Sequence, residues 1–587
     1  MADGVFLLKR QRFIWLWALL FYVALSVIVT WPLVLHWKEM VPGWYVADNY
    51  EYLWKMWWFK EKLLHGQSPF FAPRILYPYG YNLAYSELTF LHTVVGLPLT
   101  LFWGEVPAYN FFALLSFVLS GWGAFGFMKR VGMGFWPALF SGVVYMLTPY
   151  HVERYAGILP LMSVEGIPLF LWGVEEWLFS RKVRWALFAG LGGVLAAWSS
   201  MYYALGIVLF GGVYIGVRLR PWGNLLRDKH IRRGIMLMGI VFVFGVAVTM
   251  FPYLQLRNRI ALKIPLEETD YWSASLSDYL VPPGLHPLWG QWVREHLLGV
   301  PATFPSIGLE FVLGVGFVSL LFALYGWRRG KSSVKSALIW FTVFALVLSM
   351  GPRLRLGRSP VVIPAPESVV QGFNQMMDVL GAMLPAHESY APLEQSGLSV
   401  PLPALLLRWL LPPLLGMRAW NRFAAFASLG LALLAGLGVD TWLREEVLTG
   451  KDASSTRLVW TMVIVLGVAI FELWPGSIPL QPVKPRAVDL WLASQPEDFT
   501  IMELPLTSAL SGPQMMYTRY HGKRTAFAAG YLPYWYREQF PELEHCPADA
   551  CIARLRSWEV RYILLNRAAL GTENRDLESQ LDASPVL

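Results

Sequence analysis

Long apolar runs separated by short polar segments make up most of the chain up to about residue 475. A transmembrane helix needs about 20 mostly apolar residues, and by that length the pattern predicts roughly 11 membrane spans. They are expected at 13–35, 106–128, 134–150, 157–178, 184–200, 203–218, 234–251, 305–327, 335–351, 421–442 and 458–475. Residues 1–475 are therefore predicted to form an all-α polytopic membrane module.

The run 88–103 is ambiguous, because it contains His92, Gly96 and Pro98 and could be a span or a re-entrant segment. Lys and Arg concentrate in cytoplasmic loops, so the basic clusters decide between the two. If the run does not cross, every cluster lies in the cytoplasm, and if it crosses, every cluster lies outside. The clusters fall at 129–130, 181–184, 218–233, 328–331 and 444–451. We predict that the run is re-entrant or interfacial and that the N-terminus is cytoplasmic.

This orientation places the long loops 36–105, 252–304 and 352–420 on the outer side, together with the tail 476–587. Alternating or apolar segments at 499–505 and 560–565 predict strands, and 549–558 predicts a helix. The tail is therefore expected to be a small extracytoplasmic α/β domain. The first run is too long for a signal peptide and precedes further spans, so it is predicted to be a retained helix.

Composition agrees with a membrane protein, since 56% of the 587 residues are hydrophobic and only 15% are charged. The formal net charge of +8 could suggest a nucleic-acid partner. The basic residues, however, fall in short clusters between apolar runs, which is typical of cytoplasmic loops. The charge therefore indicates topology, and we expect no nucleic-acid binding. The predicted location is the plasma (inner) membrane.

The first outer loop carries the most unusual stretch, at 47–64, which has two faces when drawn as a helix. Its large apolar side chains form one stripe, at Tyr50, Trp54, Trp57, Trp58 and Leu64. Its charged side chains form the opposite face, at Asp48, Glu51, Lys55 and Lys62. Such a helix is expected to lie on the membrane surface with its apolar face down. Asp48 and Glu51 are candidate catalytic carboxylates, or else a helix cap and a solvated partner of Lys55.

Further polar groups occur at the outer ends of the spans. His151, Glu153 and Arg154 follow the third span and form either part of a site or an interfacial salt-bridge cluster. Tyr202 lies in the turn 199–203 and is either a substrate contact or an interface residue.

Residues of the types that bind hard cations occur in the loop 252–304, at Glu267, Glu268, Asp270 and His286, and His286 is also a candidate substrate contact. Their spacing matches no metal motif, so a divalent cation (Mg or Mn) is only weakly indicated. Arg418 and Arg422 are four residues apart at the mouth of a span, where two guanidinium groups could hold a phosphate. Snorkelling to the membrane interface is the alternative for these two arginines.

Several familiar chemistries leave no trace in the sequence. There is no P-loop, no GxGxxG after a strand, no HExxH and no GxSxG. The only cysteines, Cys546 and Cys551, are too few for a zinc site, and in an extracytoplasmic tail they are expected to form a local disulfide.

The arrangement resembles the C-type fold of membrane glycosyltransferases, which use polyprenyl-phosphate sugars as donors. The chain is most similar to large bacterial multi-spanning members without an assigned substrate, over nearly its whole length. The shared segments are TWPL (30–33), YPYG (77–80), PPGLHPL (282–288), SMGPRL (349–354), RAWNRF (418–423) and HGK (521–523). The sequence departs from better-known members because its first loop lacks an adjacent acidic pair.

The resemblance implies that Asp48 acts as the general base on an acceptor hydroxyl, supported by Glu51 or by His151 with Glu153. It also implies that Arg418 and Arg422 hold the lipid phosphate. The expected activity is inverting transfer of a sugar to a glycan, lipid or protein acceptor on the outer face. Two alternatives remain: a non-catalytic scaffold or accessory subunit of a membrane complex, and a transporter. The transporter is less favoured, because the acidic residues within spans (Glu165, Glu175 and Glu176) are confined to one helix.

Overall fold

The computed structural model describes residues 2–45, 47–223, 228–257, 263–299, 306–390, 397–447, 455–530, 532–570 and 576–583. Each of the eleven predicted spans contains a helix. These helices are Ala2–Val29, Glu105–Arg130, Phe135–Leu147, Gly166–Ser180, Val183–Ser199, Met201–Gly206 continuing through Ile207–Gly211 to Gly212–Arg218, Lys229–Arg257, Phe317–Arg329, Lys335–Ser349, Ala424–Trp442 and Ser455–Glu472.

Among the described residues, four helical stretches are long and apolar enough to cross a membrane: Glu105–Arg130, Met201–Arg218, Lys229–Gln255 and Trp420–Glu445. Several other predicted spans contain shorter helices; Phe135–Leu147 and Phe317–Arg329, for example, have 13 residues each. The segment 157–178 was predicted as one span, but it divides into Leu159–Met162 and the start of Gly166–Ser180. The apolar helices place the chain in a membrane, and the number of crossings stays a prediction.

The helix Ala424–Trp442 forms the centre of the bundle, since nearly all of its residues are buried. It packs closely on Phe317–Arg329 where two glycines meet. A Cβ atom at Gly438 would lie 1.9 Å from the carbonyl oxygen of Phe322, and one at Gly326 would lie 2.2 Å from the carbonyl oxygen of Leu434. Small residues allow this backbone approach, which is how membrane helices gain packing contacts.

The predicted helix of the first outer loop is observed at Asn49–Leu64, and we call it the loop helix. It does not lie with a charged face in solvent, and that prediction is wrong. Glu51 and Lys55 are buried, and the Trp54 indole donates a hydrogen bond of 3.0 Å to the hydroxyl of Thr518 in the tail. The helix is therefore enclosed between the bundle and the tail.

The run 88–103 forms two short helical pieces, Leu91–Val95 and Leu97–Trp103. Its end is open to the surroundings, since Phe102 is 86% exposed. Pieces of 5 and 7 residues are too short to cross a hydrocarbon core about 30 Å thick. The observed lengths favour the prediction that this run does not cross.

The tail contains a three-stranded parallel sheet in the order Arg524–Thr525, Thr500–Leu504, Val560–Leu565. Both predicted strands and the predicted helix, observed at Asp549–Ser557, are confirmed, whereas the third strand and the helix Ser508–His521 were not predicted. Further tail helices are Ala487–Ser494, Tyr534–Gln539 and Leu577–Asp582. Cys546 and Cys551 form the predicted disulfide.

The tail and the first outer loop are joined by backbone pairing. Met40–Pro42 pairs antiparallel with Leu480–Pro482. The amide of Tyr77 donates to the carbonyl of Thr525, and the amide of Thr525 donates to the carbonyl of Arg74, each at 2.9 Å. The first outer loop thus extends the edge of the tail sheet. The remaining short ladders are Phe71–Ala72 with Tyr81–Asn82, Arg355–Leu356 with Ser359–Pro360, and Val362–Pro364 with Gly397–Ser399.

The other outer loops carry short helices. They are Pro149–Tyr155, Leu266–Tyr271, Gly290–Trp292, Glu367–Met383 and Pro403–Leu410, while Ser306–Leu309 lies at the start of the predicted span 305–327.

Candidate active site

Two glycines fix the turn that carries Asp48. Gly43 has φ +120° and Gly157 has φ +148°, a region that side chains rarely adopt. A Cβ atom at Gly43 would lie 2.3 Å from the carbonyl oxygen of Ala156, and one at Gly157 would lie 2.5 Å from the Cβ of Ala47. The first outer loop and the turn after the third span therefore touch backbone to backbone, directly before Asp48.

Asp48 occupies the N-cap position of the loop helix, yet its side chain makes no capping hydrogen bond. It is exposed, while its neighbours Ala47 and Asn49 are buried. Desolvation, followed by the charges of Glu51 and Glu310, raises the pKa of Asp48 to about 7, although Arg418 and Lys55 act in the opposite direction. Asp48 is thus an exposed residue whose carboxyl group is nevertheless strongly desolvated by nearby protein atoms, and we call its surroundings the recess. The helix-cap alternative loses its main support, because the capping bond is missing.

Glu51 is not available as a catalytic group, which corrects its predicted role. It is buried and ion-paired with Lys55, and it accepts a hydrogen bond of 3.0 Å from the hydroxyl of Ser86. Lys55 also donates to the hydroxyl of Ser86 and the carbonyl of Glu87, each at 2.8 Å. Glu51 therefore lies buried near Asp48 and acts on it through its charge.

Arg418 contributes positive charge to the recess, as the field it exerts on Asp48 shows. Its guanidinium lies 5.0 Å from the ring centroid of Trp272 and 3.8 Å from Oε1 of Glu268. Trp272 in turn stacks on Phe311, with the ring centroids 5.7 Å apart. The predicted arginine at the mouth of this span is thus near enough to the predicted carboxylate to lower its pKa.

Arg422 lies on the same side of the site and is held more tightly. Its guanidinium is 4.4 Å from the ring centroid of Tyr202, and Nη1 is 3.5 Å from Oε1 of Glu87. Glu87 also accepts a hydrogen bond of 2.5 Å from the hydroxyl of Ser200. Tyr202 is therefore brought to the site as predicted, whereas Glu87 was missed.

Glu310 is a second residue that the sequence reasoning missed. Its backbone carbonyl accepts hydrogen bonds from Nη2 of Arg154, at 3.1 Å, and from Nδ2 of Asn421, at 3.3 Å. Its Oε2 atom is buried and has no hydrogen-bond partner within the described part of the chain. The sequence did contain a signal for Glu310, namely its position inside the apolar run 305–327. Charged residues in such runs are usually functional.

Three predicted residues have structural roles. His151 is buried and is held by the carbonyl of Met146, at 2.9 Å, and the hydroxyl of Ser116, at 3.1 Å. Glu153 accepts a hydrogen bond of 2.8 Å from the amide of Gly284. Arg154 is buried against the ring of Tyr150 and donates hydrogen bonds to the backbone carbonyls of Tyr150 and Glu310, each at 3.1 Å. The predicted substrate contacts of His151, Glu153 and Arg154 are corrected accordingly, because all three side chains are buried and are held by other parts of the protein.

His286 also lies away from the recess, and its predicted substrate contact is corrected. It stacks on Trp289, with the ring centroids 3.4 Å apart, and is hydrogen-bonded to the carbonyl of Phe471 at 2.9 Å. Asp270 forms a buried ion pair with Arg353. The residue types suggested for a cation in the loop 252–304 therefore have other partners, and no group of three or more His, Cys, Asp or Glu side chains within the described ranges could hold a metal ion.

Comparison with known structures agrees with this architecture. Arabinofuranosyltransferase AftD from mycobacteria superposes with a TM-score of 0.55 at 12% identity, over 93% of this chain and 36% of that one. The oligosaccharyltransferase AglB from Archaeoglobus fulgidus, in complex with an inhibitory peptide and a dolichol-phosphate, gives a TM-score of 0.46 at 13% identity, over 94% of this chain and 69% of that one. ArnT from Cupriavidus metallidurans, bound to undecaprenyl phosphate, gives 0.39 at 14% identity, over 86% and 85%.

The match to AftD shows that the chain has the C-type glycosyltransferase fold, a polytopic membrane architecture. No family model matches the sequence, and a search of curated proteins finds no match.

Proposed function

We propose that this protein is an inverting glycosyltransferase that moves a sugar from a polyprenyl-phosphate donor to an acceptor hydroxyl at the outer face of the membrane. The observation that carries the proposal is Asp48, an accessible carboxylate whose pKa is raised to about 7 in a recess that also feels the charge of Arg418. A general base works best when its pKa lies near the operating pH. The acceptor is a glycan, a lipid or a protein.

In this mechanism Asp48 takes the proton of the acceptor hydroxyl as the oxygen attacks the anomeric carbon. The bond between that carbon and the phosphate oxygen breaks, and its electron pair leaves with the lipid phosphate. A single displacement from the opposite face inverts the anomeric centre. Arg418 is the group that stabilises the departing phosphate, because guanidinium groups bind phosphate through charge-assisted hydrogen bonds.

Arg422 has a more indirect part in this proposal. Its guanidinium contacts Glu87 and Tyr202, whereas the charge of Arg418 acts on the pKa of Asp48. We therefore assign Arg422 to the wall of the phosphate site and Arg418, which acts on the proposed base, to the phosphate itself.

A divalent cation such as Mg²⁺ or Mn²⁺ is part of the proposal as a possible further group. Mg²⁺ is often held by one or two carboxylates together with substrate phosphates. Glu310, whose buried Oε2 atom has no hydrogen-bond partner within the described part of the chain, is the carboxylate that fits this description. When bound, the cation would neutralise charge on the leaving phosphate.

One observation favours a second candidate, a scaffold or accessory subunit that keeps the fold without catalysis. Both arginines of the recess already have acidic neighbours, Glu268 beside Arg418 and Glu87 beside Arg422. Neutralised arginines attract a phosphate less strongly. Activity measurements on the reconstituted protein separate the two candidates.

The test uses the full chain in lipid nanodiscs with a panel of polyprenyl-phosphate pentoses and hexoses. Asp48→Asn keeps the shape of the side chain and removes the base, so we expect sugar transfer to be lost while folding is unchanged. The matched control is Asp576→Asn, because Asp576 is also an exposed N-cap residue without a capping bond but belongs to the last tail helix. Transfer that persists in Asp48→Asn would overturn the assignment of the base. Absence of transfer with every donor would favour the scaffold.

A further inference from the structure

The helix Glu367–Met383, which we call the outer helix, leaves one apolar face uncovered. The large apolar side chains on that face are exposed and recur at helical spacing: Val369, Met376, Val379, Leu380 and Met383. A different face, formed by Val370, Met377 and Gly381, is buried. The uncovered residues therefore form a separate stripe about a quarter-turn or more away from the packed side.

The packed side of the outer helix belongs to a small core of its own. Met377 packs there with Leu266, Tyr390, Leu405 and Trp409. This core is complete without the stripe, so the stripe is not needed to hold the loop together. Apolar side chains that are left open in this way indicate a partner surface.

The position of this unit indicates which surface that is. The amide of Leu402 donates a hydrogen bond of 2.8 Å to the carbonyl of Pro352, three residues beyond the end of the helix Lys335–Ser349, which is a predicted span. The next helix, Pro403–Leu410, shares the small core with the outer helix. Packed helices lie about 8 to 10 Å apart, so the outer helix is within about 20 Å of the end of that predicted span.

Further apolar side chains are exposed in this unit. Leu406, Leu410 and Leu411 are exposed on and directly after Pro403–Leu410. The stripe contains no charged residue, and the acidic residues of the outer helix, Glu367 and Asp378, lie off it. It also lacks the Trp, Tyr and Arg anchors that dominate protein–protein hot spots. Hydrocarbon is therefore the better match than a protein partner.

We propose that the outer helix lies in the interface of the lipid bilayer, with its stripe in the acyl region of the adjacent leaflet. Amphipathic helices of this kind bury their apolar face about 5 to 10 Å deep. The outer helix has no Lys or Arg, so the attraction is apolar and does not require anionic lipid. The loop 352–420, which carries Arg418 near its end, is thereby tied to the membrane surface.

The experiment attaches an environment-sensitive NBD label to single cysteines in the full chain in phosphatidylcholine nanodiscs. The two native cysteines are joined in the disulfide Cys546–Cys551 and do not react with a maleimide label. Met376→Cys and Met383→Cys place the label on the stripe. Gln371→Cys is the matched control, since Gln371 is exposed on the opposite face of the same helix.

We expect doxyl groups on the lipid acyl chains to quench the stripe labels at least about threefold more strongly than the control label, as burial of one face predicts. Replacing a third of the phosphatidylcholine by phosphatidylglycerol, or raising the salt concentration, should leave the quenching unchanged. Equal quenching at all three sites would overturn the proposal. So would protection of the stripe labels that lipid quenchers do not reach and that depends on protein concentration, because that result identifies a second copy of the chain as the partner.

Discussion

Glu51 and Lys55 form a buried ion pair one helical turn from Asp48, with side chains 5% and 0% exposed. Removing two charges from water is costly. Hydrogen bonds to the hydroxyl of Ser86 and the carbonyl of Glu87 offset part of this cost. The charge of Glu51 is thus fixed close to Asp48, where it raises the pKa of the proposed base. The pair connects the stability of the loop helix to the chemistry of the recess.

The pH dependence of sugar transfer follows from the pKa of Asp48. The base acts in its ionised form, so the rate should rise with pH to a plateau, with a midpoint near pH 7. Steady-state rates between pH 5 and 9 measure this midpoint. A midpoint near pH 4, the ordinary range of an aspartate, would contradict the desolvation that we describe.

The same pKa predicts an effect on stability. Because the pKa of Asp48 is raised from 3.8 to about 7 in the folded protein, ionisation is more costly in the folded than in the unfolded state. Below pH 4, Asp48 is protonated in both states and does not reduce the stability of the fold. That stability is lost as the pH rises through 7, because the carboxyl group then ionises more readily in the unfolded chain. Asp48→Asn should therefore raise the melting temperature at pH 8 more than at pH 5. Asp576→Asn, measured in the same detergent, should show no such difference.

Breaking the buried pair should be strongly destabilising. Lys55→Met leaves Glu51 buried without its cation, and such changes typically cost about 3 to 5 kcal/mol. The double variant Glu51→Gln with Lys55→Met should recover much of this loss, since no unpaired charge remains. Denaturant unfolding of Lys55→Met, Glu51→Gln and the double variant in detergent gives the coupling energy between the two residues. Additive effects of the two single changes would show that the pair contributes nothing beyond its separate residues.

Arg418 should affect both the donor and the base. Loss of hydrogen bonds to a charged group costs about 1.5 to 3 kcal/mol, so Arg418→Gln should weaken binding of undecaprenyl phosphate by roughly 10-fold to 100-fold. Since Arg418 lowers the pKa of Asp48, the midpoint of the pH profile should move upward. Arg444→Gln is the control, because Arg444 is paired with Asp440 outside the recess. Unchanged affinity in Arg418→Gln would exclude it as the phosphate group.

Much of the fold could be predicted from the sequence, because apolar runs of span length and short alternating strands depend on local pattern alone. The place of Asp48 and Arg418 at one site followed from assigning both to the outer side. The burial of Glu51 could not be predicted, since Gly530, which lies against its carboxylate, is more than 400 residues away in sequence. Glu310 was missed for a different reason: it lies inside an apolar run that was treated only as a span.

Gly530 provides a test of how closely the tail is coupled to the recess. A Cβ atom there would lie 2.0 Å from Oε2 of Glu51 and 2.1 Å from its Cδ, so Gly530→Ala must displace that carboxylate. Moving the charge of Glu51 away from Asp48 lowers the pKa of the base, and the midpoint of the pH profile should fall. Gly372→Ala is the matched control, since a Cβ at Gly372 meets nothing within 4 Å.

Glu51→Gln removes the same charge without the steric change and should shift the midpoint in the same direction. This second variant keeps the test decisive if Gly530→Ala folds poorly. An unchanged midpoint in both variants would show that Glu51 does not set the pKa of Asp48.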